Sequence, residues 1–265
     1  MPDSAAPQAF PSVWFGANVS GPDAPNLVRN GVVNYSAAWF GWQTENGVGD
    51  CRHEEAKLHA QTAAVKAARP GMTTLAYGAD VSNVFTFYDR QKAALADPQH
   101  KGWFLPSKST EVEGRSGSGS GSGTCGFGSN PAWDFRNASA SRYFAEVVLG
   151  QWADDPTVDS VFLDEADAIV CTWSGSARDN GLPTIDDVYA WSNASVATYR
   201  HAASILASKG KRLVISLKNG YEGAAPVNAK IGRLCPVPLD GIAAGMAGVP
   251  WIRSVSASVP PFLRT

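Results

Sequence analysis

Val158-Asp159-Ser160-Val161-Phe162-Leu163-Asp164-Glu165-Ala166-Asp167 is an apolar run that ends in three acids within four positions. Val161 to Leu163 has the continuous apolar character of a strand covered on both faces, as in parallel sheets. Carboxylates just past the C-terminal end of such a strand lie where α/β folds keep their active sites. Side chains alternate along a strand, so Asp164 and Glu165 start on opposite faces, and Asp167 can return to the side of Asp164 from the loop beyond. The competing account is a helix N-cap, since Asp caps well and Glu suits a first turn. Leu163-Asp164-Glu165-Ala166-Asp167 also spells a Walker-B-like string. A nucleotide motor needs G-x-x-x-x-G-K-[ST] as well, and no such stretch occurs; Gly210-Lys211 is followed by Arg212.

On both sides of this strand the chain alternates between short apolar runs and helical segments. Val13–Asn18, Val32–Trp42, Thr73–Gly78, Pro131–Asn137 and Arg212–Leu217 read as further strands, and Trp103–Leu105 is another short apolar run, closed by Pro106. Glu54–Arg69, stopped by Pro70-Gly71, is the clearest helix. Val84–Ala96, Ala138–Trp152 and Ile185–Lys209 follow as helices. Strand–helix alternation predicts parallel strands with covering helices, and at 265 residues a single (β/α)8 barrel of TIM type. About six strands are marked against the eight of a closed barrel. After Asn219 no further strand–helix pair is legible, so the barrel is expected to be irregular or incomplete at its C-terminal end. The whole chain, 1–265, reads as one domain. Its Gly/Ser-rich tract, Gly114-Arg115-Ser116-Gly117-Ser118-Gly119-Ser120-Gly121-Ser122-Gly123, sits in a surface loop at about 107–129.

A net charge of −2 provides no electrostatic case for nucleic acid or an anionic membrane surface, and no apolar run approaches membrane-spanning length. Met1-Pro2-Asp3-Ser4 shows no signal peptide. Four N-x-S sequons (Asn18, Asn34, Asn137, Asn193) and four widely spaced cysteines (Cys51, Cys125, Cys171, Cys235) lean toward an extracellular or cell-wall protein with one or two disulfides. Nine tryptophans among only 17% charged residues suit a sugar-binding cleft, where indole faces stack on pyranose rings; core packing is the plainer use of most of them.

Polar residues recur at the predicted strand ends: Asn18, Asp80, Asp134, Arg136, Asp164, Glu165, Lys218 and Asn219. In a barrel they would converge on one mouth. Trp133-Asp134-Phe135-Arg136-Asn137, then a helix, then Val161-Phe162-Leu163-Asp164-Glu165-Ala166-Asp167, resembles a group of TIM-barrel glycoside hydrolases. These are related to the endo-α-1,4-polygalactosaminidase and α-galactosidase-like families, and the resemblance covers roughly residues 13–220. It implies a (β/α)8 barrel, secretion and action on an α-linked polysaccharide. It matches Asp134 and Asp164 to the acidic catalytic positions, with Asp167 in support. Ser160 stands where a Gly is usual in that group.

Glycoside hydrolysis needs one carboxyl group to protonate the leaving oxygen and another to attack the sugar or activate water. Asp164 is the candidate nucleophile or base, and Glu165 and Asp134 compete for the acid role. Arg136 beside a carboxylate favours its ionised form, which suits a nucleophile or base; an ordinary salt bridge is the alternative. Asp80, Asp167, Lys218 and Asn219 are candidate contacts to sugar hydroxyls, and Trp39, Trp42, Trp133 and Trp173 candidate platforms. The acids would also suit Mg²⁺ or Ca²⁺, but the four histidines form no ligand pattern, and neither a metal nor a cofactor is expected. The expected partner is a polysaccharide or oligosaccharide bound by a monomer. The alternative is an inactive barrel that binds polysaccharide in a wall or matrix.

Overall fold

The computed structural model describes residues 13–16, 35–41, 53–81, 84–106, 131–164, 166 and 181–215. Five strands, β1 (Val13–Gly16), β2 (Ala37–Phe40), β3 (Thr73–Asp80), β4 (Ser160–Asp164) and β5 (Arg212–Ile215), form one sheet in chain order. Every neighbouring pair is parallel. Sequential order means that each crossover moves one strand further in the same direction. Right-handed crossovers then put all connecting helices on one face of the sheet, unlike a doubly wound sheet, whose strand order reverses.

Among the described residues the cover comes from four longer helical segments, with a short 3₁₀ segment at Pro98–Trp103 beside them. α1 (Glu54–Ala68) packs on β2 and β3, and α4 (Ile185–Ala207) packs on β5. α2 (Asp89–Ala96) is short. α3 runs over 138–154, beginning as an α-helix, widening to a π-helical stretch at Phe144–Leu149 and tightening to 3₁₀ at Gly150–Asp154. The sheet face beneath them carries Ala38, Phe40, Ala76, Val161 and Leu163, all fully buried, with Leu213 and Ile215 nearly so. The opposite face carries Trp39, Tyr77 and Phe162, packed ring against ring, with Trp39 and Phe162 only partly buried. Side-chain alternation along parallel strands divides the two sets.

Two expectations need correction. Residues 84–88 do not begin α2. Residues 86–88 form a turn instead, with Phe85, Phe87 and Tyr88 all buried, and Glu55 of α1 caps the helix from outside, its carboxylate accepting from the Asp89 and Arg90 N–H groups. Pro131–Asn137 is not a strand of the sheet either, and the apolar run Trp103–Leu105 does not join the sheet. They meet through a single antiparallel bridge, Phe104 to Trp133, and flank the helical layer on the crossover from β3 to β4. Their apolar residues are there to pack: Trp133 against Phe104 and Phe144, Phe135 against Phe144, Trp191 and Tyr199.

At the N-terminal edge of the sheet, polar side chains fasten strand to helix. Asp159 Oδ2 accepts from the Thr74 N–H and hydroxyl and pairs with Lys66 Nζ at 2.6 Å. Asp155 accepts from the Thr157 N–H and hydroxyl and lies 2.6 Å from His59 Nδ1. Burial opposes ionisation of Asp155, but the bonds from Thr157 and His59 outweigh it and hold the carboxyl below its ordinary value. A carboxyl depressed in the folded state adds stability above its unfolded pKa, about 3.9, and loses it as pH falls through the folded value. Urea unfolding midpoints are therefore expected to fall between about pH 5 and pH 3, less steeply in Thr157→Val. Identical slopes for the two proteins would discount the Asp155 network.

Candidate functional site

The C-terminal edge of the sheet brings two acids side by side. In a regular strand Tyr77 and Asp80, three residues apart, would face opposite ways. The register moves from Tyr77 opposite Phe162 to Ala79 opposite Leu163, so Gly78 is an extra residue on β3. The bulge restores parity: Tyr77 and Asp80 both lie on the face of Phe162 and Asp164, and Asp80 is directly in register with Asp164. Their Cα atoms are thus one strand spacing apart, about 4.8 Å. Asp80 is buried and Asp164 half-buried. Tyr77 Oη donates to Asp164 Oδ2 at 3.2 Å. Burial pushes the Tyr77 phenol well above its ordinary pKa, and the charges of Asp164 and Asp80 add to the effect, so the hydroxyl stays a donor.

A backbone bond reaches the end of β4 and a side-chain bond reaches Ala166 just beyond it. The Val81 N–H donates to the Asp164 carbonyl, extending the ladder, and Tyr199 Oη of α4 donates to the Ala166 carbonyl at 3.0 Å. Glu165, Asp167, Lys218, Asn219, Trp42 and Trp173 lie outside the described residues, as do all four cysteines, Asn18, Asn34 and the Gly/Ser tract.

Asp134 and Arg136 have another setting. Both Asp134 oxygens accept from Arg136, Oδ1 from Nε and Oδ2 from Nη2, each at 2.9 Å. Arg136 Nη1 reaches on to Asp187 Oδ1 at 2.7 Å. Asp187 also closes the capping box of α4 with Thr184, and these bonds, from Thr184 first and then Arg136, hold its carboxyl below the ordinary value. The Asp134 bond, outweighing burial, raises the Arg136 guanidinium further and keeps it charged. Because crossover helices run antiparallel to the strands, the starts of α3 and α4 lie toward the same sheet edge as Asp164. Asp134 and Arg136 are therefore at the expected end of the fold, as a clamp between two helix starts. No described contact joins them to Asp164.

Trp133 is not a sugar platform. It is completely buried, with Phe104 and Phe144 against it, and its carbonyl accepts from Trp191 Nε1. Asn137 caps α3, its carbonyl oxygen accepting from Ser139 and Ala140 and its amide donating to Gly102, so glycosylation there would sacrifice the cap. Asn193 is exposed on α4. Among the described residues no group of three or more His, Cys, Asp or Glu gathers to hold a metal ion.

Asp80, expected as a contact to sugar hydroxyls, stands directly in register with Asp164, a neighbour the sequence did not suggest. Its pairing with Asp164 depends on the Gly78 bulge, and the glycine inside an otherwise good strand, Thr73-Thr74-Leu75-Ala76-Tyr77-Gly78-Ala79-Asp80, is the signal that could have shown it.

No protein-family model matches the chain, and no curated protein is similar to it. Among solved structures, the α-amylase from Geobacillus thermoleovorans complexed with acarbose superimposes with a TM-score of 0.44 at 13% identity, covering 84% of this chain and 49% of that one. An α-amylase from Lactobacillus plantarum gives 0.43 at 12%, covering 80% and 47%. The type III pullulan hydrolase from Thermococcus kodakarensis gives 0.40 at 14%, covering 79% and 37%. The chain thus spans half or less of the length of these proteins. Likeness at this level carries no argument about chemistry, which rests on the chain's own residues.

Proposed function

We propose that the chain is a glycoside hydrolase-like protein that cleaves an O-glycosidic bond of a polysaccharide or oligosaccharide at the C-terminal edge of its sheet. The observation that carries this reading is the registered pair Asp80–Asp164, set at the end of an aromatic face formed by Trp39, Tyr77 and Phe162. Two neighbouring carboxyl groups supply the acid and the nucleophile or base that the reaction needs. Of these rings the partly buried Trp39 and Phe162 suit the apolar side of a pyranose, with the buried Tyr77 packed against them. Sequential parallel strands with helices on one side support an arc of a (β/α)8 barrel, in which that aromatic face would line the interior.

Asp164 is the nucleophile or base in this reading. Asp80 and Glu165 stand as acid candidates. Asp134, with both oxygens engaged by Arg136, serves better as a structural acid. Two in-register aspartates that project in parallel from one face keep their carboxyl groups about as far apart as their Cα atoms, nearer the roughly 5–5.5 Å between the carboxyl groups of retaining enzymes than the 6.5–9.5 Å of inverting ones, so retention of anomeric configuration is expected. A wall or matrix polysaccharide outside the cell is the proposed setting.

The test is reducing-sugar release by the purified chain from a panel of α- and β-linked polysaccharides, with proton NMR of the first-formed anomer. Release with retention supports the reading. Release with inversion overturns the assignment of Asp80 and Asp164 as the catalytic pair. Binding without release overturns the hydrolase reading in favour of a polysaccharide-binding protein.

A further inference from the structure

We propose that Tyr77 is a positioning residue for Asp164, brought to it by the Gly78 bulge; this assignment rests on the hydrolase reading of Asp164. Tyr77 Oη donates to the Asp164 carboxylate at 3.2 Å. Its ring is fixed on several sides. Trp39 stacks at 6.5 Å between centroids, Phe162 lies at 5.6 Å and Phe85 at 6.0 Å. The main chain is held as well, since the buried Tyr88 hydroxyl donates to the Tyr77 carbonyl at 3.2 Å. Without the extra residue Gly78, Tyr77 and Asp80 would not share a face, and one β3 segment could not present both a donor to Asp164 and a carboxyl in register with it. A buried, immobile phenol is thus aimed at one oxygen of the carboxylate that has to keep its orientation while it attacks or takes a proton. Holding a reacting group in one geometry accelerates the step itself rather than ground-state binding.

Tyr77→Phe removes only the hydroxyl. We expect kcat to fall by about ten- to a hundredfold, the usual weight of a hydrogen bond to a charged group, with KM within about twofold. Tyr143→Phe, which loses a hydroxyl that donates to the Arg90 carbonyl away from Asp164, is the control and is expected to leave kcat within about threefold. A second readout needs no turnover. Carbodiimide-driven amidation, followed residue by residue by mass spectrometry, is expected to speed up at Asp164 in Tyr77→Phe and stay unchanged at Asp134, which Arg136 holds. Native kcat together with native labelling of Asp164 would overturn the proposal. If the wild-type chain cleaves no glycan, the hydrolase reading fails by itself, and the labelling still decides whether Tyr77 governs Asp164. If Tyr77→Phe does not fold, 3-fluorotyrosine at position 77 in the otherwise native chain replaces it. Its fluorine resonance is expected to move on Asp164→Asn, and an unmoved resonance would overturn the contact.

Discussion

Asp164→Asn is expected to cost about a thousandfold or more in kcat/KM on any glycan the chain cleaves, near 4 kcal/mol of transition-state stabilisation. The amide keeps the shape of the carboxylate but can neither form the glycosyl ester nor take a proton from water. Stability should hardly move. The Asn side-chain oxygen can still accept from Tyr77 Oη, and the backbone bond from the Val81 N–H to residue 164 is untouched, so the change in unfolding free energy is expected to stay within about 1 kcal/mol. Circular dichroism melts beside initial rates separate the two effects. Two further amides apportion the chemistry. Asp80→Asn should approach the loss at Asp164 if Asp80 is the acid, and fall well short of it if Glu165 is. Asp134→Asn should cost less than about tenfold in rate while lowering the melting temperature, because it weakens the Arg136 clamp at the starts of α3 and α4. Full activity in Asp164→Asn would remove the centre of the proposed site. A larger loss in Asp134→Asn than in Asp164→Asn would move that centre to the helix starts.

The features that proved legible in the sequence share one physical origin. Val161, Phe162 and Leu163 lie on a strand with parallel neighbours on both sides, where Val161 and Leu163 are fully buried and Phe162 packs in the aromatic cluster of the other face, and this makes their apolar run unmistakable. Glu54–Ala68 and Ile185–Ala207 are long enough for helical pattern and stop signals to accumulate, and both form close to the expected limits. The errors arise where packing between helices imitates a strand. Trp133 and Phe135 alternate with Asp134 and Arg136 as they would on a half-buried strand. The period comes instead from a short segment wedged between helices, with its aromatics on Phe144, Trp191 and Tyr199 and its charges tied to the start of α4. Local alternation cannot tell those two environments apart. The Asp80–Asp164 pair was hidden for another reason. A single extra residue reverses the facing of everything after it, and whether Gly78 is extra depends on its neighbour β4, some eighty residues away in the chain.

Gly78→Ala is expected to destabilise the protein by about 2–3 kcal/mol through overpacking, a fall of roughly 5–10 °C in melting temperature for a chain of this size. The requirement for glycine here is one of space. A Cβ at position 78 would come within 2.5 Å of Val161 Cγ1, 2.8 Å of Leu149 Cδ2 and 3.3 Å of the Phe162 carbonyl oxygen. Val161 is fully buried on β4, and its β-branched side chain has little rotamer freedom with which to yield. Leu149 can move more easily, but it is itself fully buried on the π-helical stretch of α3, beside the buried Phe144, Ala145 and Val148. Relief must therefore come largely from β3 moving relative to β4, which draws Tyr77 and Asp80 away from Asp164, so activity should fall further than the stability loss alone explains. Val161→Ala removes the closest obstructing atom. By itself it leaves a cavity and destabilises the protein, yet in combination the new methyl at 78 occupies part of the space that Val161 vacates. The double mutant should then be more stable than the sum of the single changes by about 1 kcal/mol or more, a coupling that contacting residues show and distant ones do not. Strict additivity in that cycle would mean that the Gly78 site is loosely packed, and the bulge would lose its claim to set Tyr77 and Asp80 on the face of Asp164.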